Sequence, residues 1–273
     1  MKDSQHAGPR TRDVSRETKK RSGVAPASQA TLDGIATDVR ERVARWLGET
    51  TLKPREGLLE RIEKMAATLA LWGAHTNLTA DASDPAEIAF HVIDSLAPLA
   101  FASGANREAL ETALAEGAAA LDLGSGAGFP GLVLAAAFGA RFTLAETRRK
   151  RASYLQVAAH EMDLENVAIE QRRMSARSIS CGLYHLVTAR AFGTSAELYE
   201  IASAALRPDG ILLLYASTDQ VLDASSGQVS SDQVLAEGAI ESATWTYRLP
   251  HRERVATRAA VLWRKPRLAP ASA

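Results

Sequence analysis

A glycine-rich stretch, Leu121-Asp-Leu-Gly-Ser-Gly-Ala-Gly-Phe-Pro-Gly131, limits the folds open to this chain more than any other feature. An apolar run, Ala118 to Leu123, precedes its glycines, and a second apolar run of helical character, Leu132 to Phe138, follows them. Backbone without side chains between a strand and a helix lets a ligand approach closely, and the helix N-terminus offers free N–H groups and the positive end of a dipole. The stretch therefore predicts a site for a nucleotide-like cofactor.

The pattern around this stretch predicts an α/β fold with a doubly wound, mostly parallel, seven-stranded sheet. From residue 118 onward, predicted strands alternate with predicted helices, as in sheets covered by helices on both faces. The expected strands are 118–123, 141–145, 167–171, 186–189, 211–216, 243–249 and 257–264, with helices over 130–138, 149–162 and 195–206. The last two strands have no convincing helix between them, so we expect a closing hairpin.

Three helices are predicted before the sheet, in an N-terminal helical annex over residues 31–110 that precedes an α/β domain over 111–268. Apolar residues recur at helical spacing over 32–47 and 55–72. The third helix begins at Asp84, a suitable cap, with Pro85 in the first turn and Glu87 at the position that completes a capping box.

Composition excludes several classes of protein. The 273 residues carry 32 basic and 32 acidic side chains, which argues against a uniformly basic nucleic-acid wrapper, although the stretch from Thr246 to the end has seven basic residues and one acidic. Residues 1–30 are predicted to be a disordered basic tail. We find no bilayer-spanning run and no secretory signal, so we expect a cytoplasmic protein. The single cysteine, Cys181, is expected to be buried, and no metal site is predicted.

The glycines fit two cofactor templates. Gly126-Ala-Gly128-Phe-Pro-Gly131 satisfies G-x-G-x-x-G, the dinucleotide fingerprint. The other register, Asp122-x-Gly124-x-Gly126-x-Gly128, places an acid at the end of the first strand and resembles the first motif of S-adenosylmethionine (SAM) methyltransferases. The acid and the closing hairpin favour the methyltransferase register, and a nicotinamide-dependent oxidoreductase remains an alternative.

Four further features lie where a ligand would bind. Glu146 follows the second strand, where an acid would accept hydrogen bonds from both ribose hydroxyls of an adenosine. Residues Arg148 to Arg151 lie at the N-terminus of the next helix, where their positive charges oppose the helix dipole. They therefore form either a solvated face or contacts with phosphates. Arg190 ends the fourth strand and either pairs with Asp94 or Glu146 or contacts the cofactor or RNA. His91 and Asp94 share one helical face, as an acid–base pair or a structural hydrogen bond.

An ordered set of motifs resembles the RsmG (GidB) family of SAM-dependent methyltransferases, which modify guanine N7 in 16S rRNA. The resemblance covers roughly residues 55 to 265. Its motifs are Trp72-Gly-Ala-His-Thr-Asn77-Leu78-Thr79, His91-Val-Ile-Asp94-Ser95-Leu96, the glycine stretch, Glu146-Thr-Arg-Arg-Lys150-Arg151, Leu164-Glu-Asn166-Val167, Arg173 and Ala189-Arg190-Ala191-Phe192.

The resemblance implies S-adenosyl-L-methionine as the cofactor and 16S rRNA or the small ribosomal subunit as the partner, with no membrane, no metal and a monomeric enzyme. The cofactor contacts it implies, together with the loop glycines, are Gly124, Gly126, Gly128, Phe129, Glu146, Met174, Ser175 and Arg190. The candidate RNA contacts are Asn77, His91, Arg148, Arg149, Lys150 and Arg151. No catalytic residue is assigned; Asp94 is a candidate for stabilising the charge that develops on the purine.

The chain departs from the family pattern at four places, which we expect to line the RNA side. The family usually has asparagine at Gly73 and an acid at Ser175, Phe-Asp at Tyr184-His185, and Lys-Gly at Ala216-Ser217. A SAM-dependent methyltransferase with a different substrate is therefore the first alternative. A nicotinamide oxidoreductase and a non-catalytic RNA-binding module that keeps the fold are the others.

Overall fold

A computed structural model describes residues 28–191, 195–217 and 242–266. Most of the predicted basic tail lies outside the described residues. Helix α1 nevertheless begins at Gln29, within the stretch assigned to the tail, because the Ser28 side chain accepts a hydrogen bond from the Thr31 N–H and caps the helix.

In the part of the chain that the structure describes, four helices precede the sheet. They are α1 (Gln29–Gly48), α2 (Leu58–Gly73), α3 (Pro85–Phe101) and α4 (Gly104–Ala113). The Asp84 side chain caps α3 by accepting from the Ala86 N–H, as predicted. The capping box is wrong, because the Glu87 carboxylate lies beside His91 and His251. Helix α4 was not predicted, since it buries only Leu110 and Ala113 and has no long apolar stripe.

The α/β pattern is confirmed, with each predicted strand present and differences of a few residues at the ends. The strands are β1 (Ala119–Leu123), β2 (Arg141–Ala145), β3 (Val167–Glu170), β4 (Tyr184–Arg190), β5 (Leu206–Ser217), β6 (Ser242–His251) and β7 (Arg254–Arg264). The intervening helices are α5 (Gly131–Ala137), α6 (Arg149–Glu161) and α7 (Ser195–Ala205). The strand order is β3-β2-β1-β4-β5-β7-β6, with β7 antiparallel to β5 and to β6.

The register brings the ends of three strands together. Leu123 of β1 pairs with Ala145 of β2 on one side and with Ala189 of β4 on the other. The residues that follow these strands therefore meet at one edge of the sheet, which we call the carboxyl edge. The predicted closing hairpin is confirmed: β6 and β7 pair from Ser242 with Trp263 to His251 with Arg254. Because β7 runs against β5, the tip of this hairpin also lies at the carboxyl edge.

The helical annex and the sheet share one hydrophobic core. The larger cluster contains buried residues of α1, α2 and α3 together with those of α5, α6 and the sheet, such as Val39, Ile62, Ile88, Leu132 and Leu144. A smaller cluster lies between α7 and the sheet. Full burial of each large aliphatic side chain contributes about 1.5–3 kcal/mol. This packing fixes α3 beside the hairpin and the carboxyl edge.

Two further expectations can be compared with the structure. Cys181 is exposed, in the turn before β4, so the prediction of a buried cysteine is wrong. Across the described ranges, no helix has both the length and the apolar composition required to cross a membrane.

Candidate active site

The glycine loop turns sharply after β1. The N–H groups of Gly124 and Ser125 both donate to the Ala145 carbonyl, at 2.9 and 3.1 Å, and the Gly128 N–H donates to the Ser125 carbonyl at 2.7 Å. The φ angles of Gly124, Gly126 and Gly128 are 71°, 55° and 87°. This left-handed region is strained for residues with a side chain, so the bend itself requires glycine.

The glycines of the loop meet different surroundings. A Cβ on Gly128 would come within 2.5 Å of Leu132 Cδ1, and one on Gly131 would come within 2.6 Å of Asp122 Oδ2. Those two glycines are required by the packing of α5 on the sheet. A Cβ on Gly126 would meet its nearest atoms, in Arg151 and Gly124, only at 3.7 Å. Gly126 is thus the position at which a cofactor could approach the backbone.

Glu146 connects this loop to the start of α6. Its side chain is almost fully buried; Oε2 accepts from the Gly126 N–H at 3.0 Å, and Oε1 accepts from the Arg148 N–H at 2.8 Å. A carboxylate has about four acceptor positions. The Thr147 hydroxyl also donates to Oε1, over a long 3.4 Å. Glu146 therefore keeps one free acceptor position for a ribose hydroxyl and gains a second where the ribose displaces Thr147.

Asp122 supports the loop from behind. It is fully buried, and its Oδ1 accepts from the Thr188 hydroxyl at 2.7 Å. Burial raises the pKa of this carboxyl. Ser125 adds a hydrogen bond from its hydroxyl to the Asp122 carbonyl. The buried carboxylate at the end of β1 therefore joins β1 to β4 directly before the bend.

Arg190 and Phe129 lie together at the same edge. The Arg190 guanidinium carbon is 5.3 Å from the centroid of the Phe129 ring, and its Nη1 is 3.2 Å from His91 Nδ1. The His91 and Phe129 rings are 5.2 Å apart, between centroids. The structure thus joins two predicted cofactor residues with one predicted RNA residue.

Met174 and Ser175 follow β3 and have different environments. Met174 is buried in the smaller core cluster, together with Leu121 and Ala145. Ser175 is exposed, and its hydroxyl lies 2.9 Å from that of Ser178. The Met174 side chain is thus part of the core, whereas Ser175 lies on the surface.

His91 is held neutral. Burial, with smaller contributions from Arg190 and Arg258, lowers its pKa to about 3. Because a guanidinium can only donate, His91 Nδ1 accepts the hydrogen bond from Arg190. The proton of the neutral ring is therefore on Nε2, and Nε2 lies 3.3 Å from Glu87 Oε1. Glu87 also contacts His251 of the hairpin at 2.8 Å.

Asp94 has no exposed surface, and its carboxylate is surrounded by donors. Arg258 contacts both oxygens, at 3.2 and 3.1 Å, and the Tyr247 hydroxyl donates to Oδ1 at 3.0 Å. Arg190 Nη1 lies 3.7 Å from Oδ2, between Asp94 and His91. Sequence reasoning missed Arg258 and Tyr247; the basic composition after Thr246 was the only signal that pointed to them.

The basic cluster at the start of α6 divides into two parts. Arg148, Arg149 and Lys150 have exposed side chains, and no acidic residue lies in the first turn of α6. Arg151 is half-buried, and its Nη2 donates to the Asn77 carbonyl at 2.8 Å. Arg151 therefore fastens the loop between α2 and α3 to α6, beside the glycine loop.

The departures from the family pattern lie in unlike places. His185 is near the start of β4, at the opposite edge of the sheet, where its Nδ1 accepts from the Ala119 N–H. A Cβ on Gly73 would overlap that of Ala82, so asparagine does not fit there without rearrangement. Ala216 is buried in β5. His185 therefore lies away from the glycine loop, and the expectation that all four places line the RNA side stays a prediction.

No arrangement of three or more His, Cys, Asp or Glu side chains suited to a metal ion occurs in the described part of the chain. The metal-free site remains a prediction.

The fold and the site define a class of protein. The sheet is parallel except for its seventh strand, which lies antiparallel between β5 and β6, and the glycine loop after β1 is hydrogen-bonded to an acid after β2. This combination is that of a SAM-dependent methyltransferase. Within this class, the chain belongs to the GidB family, described as rRNA small subunit methyltransferase G, whose model matches residues 58–237. The nicotinamide alternative is not favoured, and S-adenosylmethionine is the cofactor.

Individual relatives agree with this assignment. The chain is 35% identical over 159 residues to "Ribosomal RNA small subunit methyltransferase G" of Wolinella succinogenes, covering 58% of this chain and 75% of the relative. It is 32% identical over 180 residues to the protein of the same name from Coxiella burnetii, covering 65% and 81%. Among solved structures, the tRNA (m1A58) methyltransferase TrmI of Aquifex aeolicus aligns with 59% of this chain and 67% of its own, at 16% identity and a TM-score of 0.44.

Proposed function

We propose that this protein transfers a methyl group from SAM to N7 of a guanine in 16S rRNA of the small ribosomal subunit. The observation that carries the proposal is the hydrogen bond between the Gly126 N–H and Glu146, which places a buried carboxylate beside the glycine loop, where we expect the adenosine, in a chain of the GidB family. The names of the relatives in Wolinella and Coxiella support the choice of small-subunit rRNA as substrate.

The proposed reaction needs little acid–base chemistry from the protein. Guanine N7 has a free lone pair and carries no proton, so no strong base has to activate it. SAM supplies an electrophilic methyl group on a sulfonium ion. The protein has to hold N7 in line with that methyl group, about 3–3.5 Å away, and exclude water.

We assign the cofactor to the carboxyl edge. Gly124, Gly126 and Gly128 would shape the loop, and Gly126 would lie against the cofactor because a Cβ there would clash with no protein atom. Glu146 would bind the ribose. Phe129 and Arg190 lie together at this edge and would contact the cofactor. Met174 would contribute through its backbone, since its side chain is in the core, and Ser175 from the surface.

We assign the RNA to the exposed cations beside that edge. Arg148, Arg149 and Lys150 would contact phosphates, which dominate the affinity of proteins for nucleic acids. Asn77 lies in the loop that Arg151 fastens to α6 and would approach the RNA next to these cations. His91 is neutral, so we expect it to contact a base rather than a phosphate.

Asp94 has a different place in the proposal. Its carboxylate is fully buried and surrounded by Arg258, Tyr247 and Arg190. We therefore propose that Asp94 does not contact the substrate base directly. The annex and the α/β domain share a core, and we propose that they act as one monomeric, cytoplasmic, metal-free unit.

Ribosomal RNA from a strain lacking the gene tests the assignment. Mass spectrometry of nuclease digests should show the loss of one N7-methylguanine from 16S rRNA, restored by the wild-type gene but not by the Gly126→Val variant. An unchanged level of guanine methylation would favour the alternative of a SAM-dependent methyltransferase with another substrate, for which the departures at Gly73 and Ser175 are the motivation.

A further inference from the structure

A buried polar cluster joins three elements beside the cofactor edge. It consists of Asp94 of α3, Arg190 at the end of β4, and Tyr247 and Arg258 of the β6–β7 hairpin. All four side chains are mostly or fully buried: Asp94 is 0% exposed, Arg258 19% and Arg190 20%. We call this group the Asp94 cluster.

Among the described residues, both arginines of the cluster lie against the Asp94 carboxylate. Arg258 binds Asp94 through Nε and Nη2, while Arg190 lies on the other side, 3.7 Å from Oδ2. Burial disfavours the charged form of Arg190, and the Asp94 charge opposes this effect on its pKa, whereas Arg258 reinforces it. Asp122 has a further, smaller effect in the same direction as Asp94. Without the Asp94 charge, the two buried guanidinium groups would repel each other and lose the carboxylate that both of them face.

The same contacts set the direction of Arg190. Asp94 on one side and His91 Nδ1 on the other fix the guanidinium beside the Phe129 ring, which belongs to the glycine loop. The hairpin completes the arrangement, because Arg258 and Tyr247 hold the carboxylate that faces Arg190. Among the described residues, neither Arg258 nor Tyr247 forms a hydrogen bond or ring contact with the glycine loop, so their effect on the loop would pass through Arg190.

We propose that Asp94 is a positioning residue, which holds Arg190 in the orientation that binds the cofactor, and that Arg258 and Tyr247 of the hairpin fix Asp94 in turn. This inference rests on the proposed function, because it assigns Arg190 to the cofactor. It predicts that changes to Asp94 act on cofactor affinity only through Arg190.

A double-mutant cycle on SAM affinity tests this inference. Calorimetry of the full chain with SAM, without RNA, gives Kd for the wild type, Asp94→Asn, Arg190→Gln and the double variant. Each single change should raise Kd by about 10-fold or more. The Kd of the double variant should be at most about twice the larger of the two single-variant values, because the two changes remove one shared effect. A Kd in the double variant that is raised by the product of the two single-variant factors would overturn the inference.

The control separates positioning from a general loss of stability. Asn166 Nδ2 donates to the Ala135 and Ala140 carbonyls near the amino ends of the strands, so Asn166→Ala removes buried hydrogen bonds away from the cofactor edge. Combined with Arg190→Gln, it should give the product of the two single effects on Kd. Melting temperatures of all variants show whether Asp94→Asn and Asn166→Ala are matched in stability.

If Asp94→Asn does not fold, Tyr247→Phe replaces it in the cycle, since this change removes only the hydroxyl that donates to Asp94 Oδ1. It should raise Kd for SAM by about threefold, and not at all in the Arg190→Gln background. An equal increase in both backgrounds would refute the positioning role. Failure of the proposed function looks different, because the wild type itself would then show no SAM binding or no methylation of rRNA.

Discussion

The carboxylate of Glu146 accepts a hydrogen bond from the backbone N–H of Gly126 at 3.0 Å. The contact joins the end of β2 to the middle of the glycine loop after β1. Its other oxygen accepts from the Arg148 N–H, so the same side chain also fixes the start of α6. One carboxylate thus orients the loop, the proposed ribose site and the basic helix N-terminus relative to one another.

Substituting Gly126 by valine should abolish SAM binding. A Cβ there meets no atom of the protein closer than 3.7 Å, so the branched side chain would occupy the space assigned to the cofactor. We expect Kd for SAM, measured by calorimetry, to rise by about 100-fold or more. This rise corresponds to a loss of about 2.7 kcal/mol or more of binding free energy. The far-ultraviolet circular dichroism should remain that of the wild type.

Gly117→Val is the matched control for backbone strain. Gly117 has a φ of +83°, comparable to the +55° of Gly126, and a Cβ there meets nothing within 4 Å. Gly117 lies before β1, at the opposite edge of the sheet from the loop. This variant should share the loss of thermal stability and keep the affinity for SAM. Normal affinity in Gly126→Val would contradict the role of the loop.

Glu146→Gln should weaken SAM binding by about 10- to 100-fold, because hydrogen bonds to a charged group are worth about 1.5–3 kcal/mol. The amide has one accepting oxygen in place of two, so it cannot serve the Gly126 N–H, the Arg148 N–H and two ribose hydroxyls together. Calorimetry with SAM and with adenosine should show the same loss, since the ribose is common to both.

Glu170→Gln is the comparison for that change. Glu170 ends β3, the strand next to β2, and pairs with Arg172 on a partly exposed surface. Exposed ion pairs contribute about 0–1 kcal/mol, so this variant should bind SAM as the wild type does. Equal losses in both variants would mean that Glu146 acts through overall charge rather than through contact with the ribose.

Replacing Arg148, Arg149 and Lys150 together by glutamine should weaken RNA binding and reduce its salt dependence. If each cation contacts one phosphate, the slope of log K against log salt concentration should fall by about 2 to 3. Filter binding to a 16S rRNA fragment over a series of KCl concentrations measures this slope. Kd for SAM should not change, because Arg148 bonds to Glu146 through its backbone.

A second set of three arginines provides the control. Arg55, Arg61 and Arg141 line a cleft at the opposite edge of the sheet, near the amino ends of its strands. Their replacement by glutamine removes the same charge, and we expect it to leave the salt slope as it is in the wild type. An unchanged slope in the first triple variant would return those cations to a solvated face.

His91 should make stability depend on pH between about 3 and 6.5. Its pKa is lowered from 6.5 to about 3 in the folded protein, so the unfolded chain binds the proton and the folded chain does not within this range. The contribution of His91 to the free energy of unfolding is therefore complete above pH 6.5. It is lost as the pH falls towards 3, by up to about 1.4 kcal/mol per pH unit. Urea unfolding at a series of pH values measures it.

The variant His91→Gln isolates this contribution. Below pH 6.5, its free energy of unfolding should fall less steeply with pH than that of the wild type. His160 is exposed on α6, and His160→Gln controls for the loss of a histidine. Parallel pH curves for the wild type and His91→Gln would show that His91 is not held neutral in the folded protein.

The fold was largely predictable from local patterns. Apolar runs separated by Gly, Pro and helical periodicity located each strand, and the register of a parallel sheet then placed Gly126, Glu146 and Arg190 at one edge. Helix α4 was missed because it buries little apolar surface and has no side-chain cap. Cys181 was misplaced because its position in a turn before β4 overrides the preference of its side chain.

The surroundings of the site were less predictable. Asp94 and Arg258 are separated by 164 residues, and no local pattern indicates that a hairpin at the end of the chain reaches a helix near its start. Glu87 satisfied the pattern of a capping box, but its partners are His91 and His251. Charge complementarity across such distances in sequence becomes visible only when the sheet order is known.

Methyl transfer in a purified system is the most direct test of the proposed function. Small ribosomal subunits and deproteinised 16S rRNA from the deletion strain are incubated with the protein and SAM carrying a labelled methyl group, and digests are mapped by mass spectrometry. We predict label on N7 of a single guanine in 16S rRNA, and none with Gly126→Val. Tight binding of SAM without label in either RNA substrate, or label on another atom, would contradict the account.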